Sequence, residues 1–177
     1  PLGGREVPLP KRPIMSFKTT DLCDAFETDP ALQIAEPLFN DYGGVTAFCG
    51  PIATVKVFED NVLARQMLET PGEGKVLVID GENSTWCALL GDQVAEIAAN
   101  NGWSGIVING GIRDAADVAT FKIGVKARFT VPRRSRKDGN GRQNVPLAFA
   151  GVTFLPGDYL YADEDGILIA TQDLLKK

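Results

Sequence analysis

Two apolar runs with a helical pattern between them dominate the middle of this chain. The runs Val76–Asp80 and Gly105–Asn109 are almost wholly apolar, as is typical of parallel strands buried on both faces. Between them, apolar residues recur at helical spacing over 93–100. Because a strand, a helix and a second strand of this kind form a β-α-β unit, the sequence predicts an α/β fold with buried parallel strands at its centre.

The segments on either side of this unit predict how the sheet continues. β-branched residues over 47–58 predict another strand, in which Gly50-Pro51 indicates a bend or an edge position. Asp60 is placed to cap the helix that follows this strand. The last third, Val125–Ala170, contains short β patterns separated by polar turns, and it predicts antiparallel β structure.

The N-terminal residues 1–14 differ from the rest of the chain. They contain four of its eleven prolines and no apolar periodicity, which is typical of a flexible tail or a cloning remnant. From Met15 onwards the pattern changes, and Thr20 is placed to cap a short helix that carries Leu22. With 177 residues and a hydrophobic fraction of 44%, the chain fits a single domain over 15–177.

The absence of histidine limits the chemistry that this chain can perform. Histidine is the usual general base and transition-metal ligand near neutral pH, so Ser-His-Asp, Cys-His and zinc-histidine sites are excluded within the chain. Carboxylates, Lys, Arg and Tyr remain, together with a hard ion bound by oxygen, such as magnesium or manganese. Three widely separated cysteines, Cys23, Cys49 and Cys87, form no CxxC pattern, and we expect them to be apolar packing residues.

The charge and hydropathy patterns indicate the compartment and the partners. With a net charge of −5, the chain is not expected to bind nucleic acid directly, because that affinity rests chiefly on Lys and Arg. The segment 133–142 is locally basic, with five positive side chains and one negative, and we interpret it as a solvated loop. No apolar run approaches the roughly 20 residues that cross a bilayer, and no secretory signal is present, so we expect a cytoplasmic protein with no membrane partner.

The strongest candidate site combines Asp92 with Arg113 and Asp114. Asp92 opens the predicted helix, and Arg113-Asp114 leaves the second buried strand after two glycines. Carboxyl ends of parallel strands and helix N-termini meet at one edge of a sheet, so the three side chains are expected to converge on one pocket. They would supply a guanidinium for a carboxylate, a ligand for a divalent ion and a second acidic group. The structural alternative is an Arg-Asp ion pair that fixes a loop, with Asp92 as an ordinary helix cap.

Backbone groups at the start of the same helix extend this candidate site. N–H groups at a helix N-terminus point outward and favour anions. We therefore expect Gly91, Gln93 and Val94 to contribute to binding of an anionic substrate, together with Arg113.

The spacing of these residues resembles a family motif. Asp92, a gap of twenty residues and Arg113-Asp114 are similar to the D-x20-R-D motif of the RraA-like family, which includes the 4-hydroxy-4-methyl-2-oxoglutarate/4-carboxy-4-hydroxy-2-oxoadipate aldolases. Further ordered matches cover most of the chain after residue 14: Asp21–Asp24, Val55–Asn61, Val76–Gly81, Asn101–Gly105, Leu160–Asp163 and Asp165-Gly166. The resemblance implies a swivelling β/β/α sandwich with a mixed sheet, assembled as a homotrimer with active sites between subunits.

The resemblance also implies roles for the motif residues. In enzymes of the family, which resemble class II aldolases, the residue matching Arg113 binds the pyruvyl group of a small 2-oxo acid. The residue matching Asp114 holds magnesium or manganese, and the one matching Asp92 orients a water for proton transfer. Some of these enzymes also decarboxylate oxaloacetate. The bacterial regulator of ribonuclease E shares the fold but departs from the motif at the positions of Asp92 and Asp114, so this chain resembles the enzymes more closely.

Two departures from the family leave other functions open. The usual Gly-rich stretch after Asp80 is Gly81–Ser84 here, and Trp86 stands where an Arg is common. The chain also offers no match to a Glu that the enzymes take from a C-terminal extension of a neighbouring subunit. The main hypothesis is a metal-dependent aldolase or oxaloacetate decarboxylase. The alternatives are a non-catalytic regulator that binds an RNA-processing enzyme or helicase, and a family member that has lost activity.

Overall fold

The computed structural model describes residues 16–176, so the prediction for residues 1–14 lies outside the described residues. The four helices of this range are α1 (Thr19–Ala25), α2 (Val62–Leu68), α3 (Asp92–Asn100) and α4 (Ala115–Val118). The strands of the first half are β1 (Gln33–Ile34), β2 (Asn40–Asp41), β3 (Phe48–Lys56), β4 (Val76–Asp80) and β5 (Ala88–Leu90). The later strands are β6 (Gly105–Ile112), β7 (Gly124–Thr130), β8 (Arg142–Gln143), β9 (Leu147–Phe149), β10 (Val152–Phe154), β11 (Tyr159–Asp163) and β12 (Gly166–Ala170).

A mixed sheet runs through the fold in the order β1-β12-β11-β3-β4-β6-β7-β2. Strands β3, β4, β6 and β7 are parallel to one another, whereas β1, β12 and β11 are antiparallel to their neighbours. Strand β5 adds to the carboxyl end of β6, and β8 adds to the end of β3. The strands β9 to β12 are short and antiparallel, as the sequence predicts for the last third, whereas β7 at the start of that third is parallel to β6 and departs from the prediction.

Strand β3 connects the antiparallel and parallel parts of the sheet. Its first half, through Pro51, pairs with β11, and its second half, from Ile52, pairs with β4. The change of partner occurs at Gly50-Pro51, where the sequence predicted a bend. A side chain on Gly50 would lie 2.0 Å from the carbonyl oxygen of Gly74, so the close approach of the chain at this point requires glycine.

Three apolar clusters hold the layers together. One lies between the parallel strands and the helices α2 and α3. A second lies between the parallel strands and β9 to β12, and a third packs α1 against the outer side of β11 and β12. The order helix, sheet, sheet is the β/β/α sandwich that the family resemblance implies.

The sequence predictions of the central elements are confirmed, with four differences. The N-cap residue of α2 is Asn61 and not Asp60, although the Asp60 carboxylate accepts the N–H of Val62, the first residue of that helix. β6 continues through Ile112, three residues beyond the predicted strand, and β5 was not predicted at all. Thr20 lies inside α1 and not at its cap, because the preceding Thr19 is tied to Asp163 by its backbone N–H and its hydroxyl. Within residues 16–176, no helix has the length and apolar character needed to span a membrane.

The ring of Phe48 lies against two glycines of the parallel strands. Gly105 of β6 and Gly124 of β7 are paired in register, and a Cβ on either would approach the Phe48 ring to 2.1 or 2.0 Å. Phe48 itself is 4% exposed. The two glycines therefore make the space in which this aromatic ring packs.

We predict that Gly105→Ala lowers the free energy of unfolding by about 1 to 3 kcal/mol, because the added methyl group overpacks the site of the Phe48 ring. Denaturation in urea measures the change. Gly110→Ala in the same strand is the matched control, since its Cβ would have ordinary contacts at 3.4 Å and beyond. Equal stabilities of the two variants would contradict this account of the packing.

Candidate active site

The candidate site lies where β5 and β6 end. Strand β5 is parallel to β6, so both deliver their following residues to the same edge of the sheet. Gly91 and α3 follow β5, and Arg113 and Asp114 follow β6. A backbone hydrogen bond from the Arg113 N–H to the Leu90 carbonyl, 2.9 Å, joins the two strand ends.

This junction brings the three motif residues together. The Asp114 Oδ2 atom accepts the Asp92 N–H at 3.4 Å and lies 3.8 Å from Nε of Arg113. Asp92 in turn accepts the N–H of Gln93 at 2.8 Å, which holds its carboxylate at the first turn of α3. A Cβ on Gly91 would lie 2.8 Å from Asp114 Oδ2 and 3.4 Å from Arg113, so glycine permits this close arrangement.

Asp114 has an unusual backbone conformation. Its φ of 54° and ψ of 41° place it in the left-handed region, immediately before α4. Non-glycine residues adopt this region at a cost, and such residues are concentrated at functional sites. The conformation turns the chain at the end of β6, and the Asp114 carboxylate then lies beside the start of α3.

The donor set fits a magnesium or manganese ion for which water and substrate supply most of the ligands. Within residues 16–176, no group of three or more acidic or cysteine side chains is placed to hold a metal ion alone. Magnesium is commonly held by only one or two protein carboxylates, and substrate oxygens and waters complete its coordination. The Asp114 carboxylate is 38% exposed and can serve in this way.

A second wall of the site comes from α2 and from the segment 133–137. Asn61 precedes α2 and Arg65 lies within it, and both line the same cavity as Asp92 and Arg113. From the other segment the cavity is lined by Arg134, Ser135 and Lys137.

Hydrogen bonds connect the two parts of this wall. The Lys137 ammonium donates to the side-chain oxygen of Asn61 and, at 3.2 Å, to the hydroxyl of Ser135. Asn61 also donates to the Leu89 carbonyl of β5 at 3.1 Å. Asn61 therefore fixes the end of Lys137 relative to the strand that leads to Asp92.

The surroundings of Lys137 lower its pKa. Lys137 is an exposed residue, but its ammonium group contacts the buried residues Asn61 and Ser135. Burial lowers the pKa of Lys137, and the positive charges of Arg113, Arg65 and Arg134 lower it further. The negative charge of Asp60 acts in the opposite direction.

The cavity is small and strongly cationic. Its volume is about 120 Å³, and the ionisable side chains that line it are those of Arg65, Asp92, Arg113, Arg134 and Lys137. Four positive charges therefore face one carboxylate, with the Asp114 carboxylate beside them. Pockets for drug-sized ligands occupy about 300 to 1,000 Å³, so this cavity suits a small ligand of several negative charges.

Beside this cavity, two arginines lie over the ring of Trp86. The guanidinium groups of Arg133 and Arg136 lie 4.7 and 4.8 Å from the centre of its ring. Arg136 also forms an ion pair with Glu59 at 3.6 Å. The two arginines over the indole place positive charge at this position.

The structure brings together most of the residues that the sequence singled out. The cavity lining includes Gly91, Asp92, Gln93, Val94 and Arg113, whereas Asp114 lies beside it through its contacts with Arg113 and Gly91. These positions agree with the predicted convergence on one pocket.

Sequence reasoning missed the second wall. Asn61 follows a predicted helix cap, and Lys137 belongs to the basic segment that we interpreted as a solvated loop. The segment is exposed at most positions, but Ser135 is 5% exposed, and three of its side chains line the cavity. One available signal was the excess of positive charge over 133–142 in an otherwise acidic chain.

Comparison with known proteins identifies the family. A family model for RraA-like proteins, described as Aldolase/RraA, matches residues 19–169. The chain belongs to the RraA-like family. A relative from Dechloromonas aromatica (strain RCB), named "Putative 4-hydroxy-4-methyl-2-oxoglutarate aldolase", is 51% identical over 162 residues, which are 90% of this chain and 99% of that protein. A relative of the same name from Alkalilimnicola ehrlichii is 50% identical and covers 92% of this chain and 99% of its own.

Two solved structures of RraA-like fold carry different names. One is an S-adenosylmethionine: 2-dimethylmenaquinone methyltransferase from Geobacillus kaustophilus HTA426, with 52% identity, a TM-score of 0.88 and coverage of 91% of this chain and 99% of that one. The other is the RNA-processing inhibitor RraA from Thermus thermophilis, with 41% identity, a TM-score of 0.85 and coverage of 89% and 94%. Because the names of similar proteins disagree, the chemistry of the site has to distinguish between the functions.

We predict that oxalate, a small dianion, raises the melting temperature of the protein. An anion among the four cavity cations relieves their repulsion, and at about 100 times its dissociation constant it would stabilise the fold by about 2.7 kcal/mol. Differential scanning fluorimetry with and without oxalate measures the shift. Lys137→Met should reduce the shift, whereas Arg142→Ala removes an exposed cation outside the cavity and should leave it unchanged. Equal shifts in both variants would mean that oxalate binds elsewhere.

Proposed function

We propose that this RraA-like protein is a divalent-metal-dependent lyase of small 2-oxo dicarboxylic acids. It cleaves substrates such as 4-hydroxy-4-methyl-2-oxoglutarate to pyruvate, decarboxylates oxaloacetate, or does both. The observation that carries the proposal is the cavity in which Arg113, Lys137 and two further cations surround one carboxylate. A small ligand with two carboxylates matches both the size and the charge of this cavity.

The names of relatives are compatible with this proposal to different degrees. Two relatives with 51% and 50% sequence identity carry the aldolase name. A methyltransferase would have to hold a nucleoside cofactor, which needs more room than the cavity of about 120 Å³ beside Asp92 and Arg113 provides; larger cavities lie elsewhere, beside Phe58 and beside Trp86. The aldolase reaction therefore agrees better with the site than methyl transfer does.

In the proposed reaction, Arg113 binds the carboxylate of the pyruvyl end by charge-assisted hydrogen bonds. Lys137, held by Asn61 and Ser135, binds the second carboxylate from the opposite wall. Backbone groups at Gly91, Gln93 and Val94 supplement these contacts at the start of α3. The substrate is thereby oriented with its reacting carbons near Asp92.

Asp92 serves the proton transfer. A water oriented by its carboxylate takes the proton of the substrate 4-hydroxyl group, and the bond between C3 and C4 breaks as the C4 carbonyl forms. The electron pair of that bond passes into the enolate of pyruvate, which a proton then converts to pyruvate. In decarboxylation, carbon dioxide leaves from C4 of oxaloacetate and the same enolate results.

Asp114 would hold the magnesium or manganese ion, which would act as a Lewis acid toward the 2-oxo acid end of the substrate. The position of Asp114 beside Arg113 and Asp92 supports this assignment. Gly91 contributes by leaving space for the carboxylate at the start of α3.

We also propose that the protein assembles as a homotrimer and that it acts in the cytoplasm. Support for assembly comes from the exposed large apolar side chains, among them Phe58, which is 55% exposed beside Val145 and Pro146. Exposed apolar surface of this kind is often covered by a partner.

Pyruvate release from oxaloacetate and from 4-hydroxy-4-methyl-2-oxoglutarate tests the proposed reaction. We expect activity with magnesium or manganese, loss in excess EDTA and recovery on adding either metal. Arg113→Ala should lower kcat/KM by roughly 30- to 1000-fold, since it removes a contact worth on the order of 2 to 4 kcal/mol. Arg142→Ala is the control and should keep full activity. Full turnover in EDTA, or in Arg113→Ala, would contradict the mechanism.

The pH dependence of kcat/KM tests the role of Lys137. Only its protonated form binds an anion, so kcat/KM should fall as the pH rises through the lowered pKa of this group. Lys137→Arg carries a permanent charge and should move that decline to higher pH. If the alkaline limb is the same in the wild type and in Lys137→Arg, another group is responsible.

A second candidate function is inhibition of an RNA-processing enzyme. It is favoured by 41% identity to the RNA-processing inhibitor RraA. Such a regulator would bind a ribonuclease E-like enzyme or a helicase through its surface, and it would need neither a metal ion nor Arg113. Ribonuclease assays with the purified wild type and Arg113→Ala separate the two functions, because equal inhibition by both would assign that effect to the surface.

A further inference from the structure

Asp60 is a buried carboxylate outside the cavity lining. The residue is only 2% exposed. Oδ1 accepts the N–H of Val62 at 3.0 Å, at the start of α2. Oδ2 accepts the N–H groups of Asp138, Gly139 and Asn140 at 2.9, 2.8 and 3.3 Å.

These bonds connect the two elements that form the second wall of the site. On one side, Asp60 is followed by Asn61 and then by α2, which carries Arg65. On the other side, the three N–H groups that donate to Oδ2 begin at Asp138, one residue after Lys137. One carboxylate thus fixes the start of a helix and the segment beside it, and both contribute side chains to the cavity.

The segment is shaped around this carboxylate. Three successive N–H groups point at one oxygen atom, which is the arrangement that binds anions in backbone nests. Gly139, at the centre of the three, has a φ of 82°. Burial acts to raise the pKa of Asp60, and the backbone N–H groups outweigh this effect and hold the pKa below its ordinary value.

A further contact at the same place is made by the backbone alone. The Arg136 N–H donates to the Glu59 carbonyl at 2.8 Å, and Asp60 and Arg136 form an isolated parallel bridge. This contact orients the chain up to residue 136. The stretch from Lys137 to Asn140 depends on the Asp60 side chain in addition.

We propose that Asp60 is a positioning residue, which acts through the segment 137–140 to hold the Lys137 ammonium in the anion-binding cavity. The functional part of this inference rests on the lyase activity proposed above. Asp60 does not itself contact the substrate. Its function is to keep the cation in place although the neighbouring arginines repel it.

Asp60→Asn tests the inference with little change of shape. The amide can still accept from Val62, but its NH2 group then faces three N–H donors. We expect the segment 137–140 to separate from α2 and kcat/KM to fall by at least about tenfold, in keeping with the loss of hydrogen bonds to a charged group. Asp163→Asn is the matched control, because Asp163 is also buried and accepts backbone N–H groups, but its partner Thr19 lies in α1, outside the cavity lining.

A double-mutant cycle with Lys137→Met distinguishes positioning from general loss of stability. If Asp60 acts through Lys137, the double variant should lose little more activity than Lys137→Met alone. Asp163→Asn should lower the melting temperature and keep kcat/KM near that of the wild type. Additive losses in the double variant, or wild-type activity of Asp60→Asn, would overturn the proposal.

Limited trypsin digestion gives a readout that does not depend on activity. The segment 133–142 contains five trypsin sites. Loss of the hydrogen bonds to Asp60 should speed cleavage there at least about tenfold in Asp60→Asn, but not in Asp163→Asn. If the wild type turns over no 2-oxo acid, the proposed function fails, while faster cleavage still supports the anchoring role of Asp60. Cleavage at the wild-type rate would overturn that role whatever the activity.

Discussion

Burial of β4 and β6 on both faces is the constraint on which the rest of the structure depends. All five residues of β4 and all eight of β6 are buried, between the helices on one side and the second part of the sandwich on the other. With both faces covered, these strands are open to a ligand only at their ends. The carboxyl ends carry the loops that approach the N-terminus of α3, so polar and charged groups collect at that edge.

The cationic side chains that line the site outnumber the carboxylates beside them. Arg65, Arg113, Arg134 and Lys137 surround a cavity with one lining carboxylate, in a chain whose net charge is −5. Such an arrangement costs stability without a ligand and favours a small anion when one is bound. Lys137 donates hydrogen bonds to the uncharged side chains of Asn61 and Ser135, which hold it against this repulsion, so the arrangement is built into the fold.

The same scaffold carries several names among similar proteins, which include an aldolase, a methyltransferase and an inhibitor of RNA processing. A fold does not by itself fix a function, because function resides in the groups that the fold brings to one place. Here the local chemistry includes the indole ring of Trp86, which lies beside the cavity. The guanidinium groups of Arg133 and Arg136 lie over this ring, so this side of the protein is positively charged.

The sequence by itself determined the elements whose signal is local. The apolar runs at 76–80 and 105–109 predicted buried parallel strands, and the position of Asp92, Arg113 and Asp114 at the ends of such elements predicted their convergence. Local patterns suffice here because strand burial and helix starts depend on neighbouring residues. The short strand β5, with only three residues, gave no pattern long enough to recognise.

Only the tertiary structure decided which distant residues complete the site. Asn61 and Lys137 are separated by 76 positions, yet their side chains are hydrogen-bonded. The basic segment alone is indistinguishable from a solvated loop, because its composition is that of a surface. Its position beside α2 depends on a buried carboxylate, Asp60, and three backbone N–H groups almost eighty residues away. Such contacts leave no periodicity in the sequence, since they are fixed by chain packing and hydrogen-bond geometry rather than by local preference.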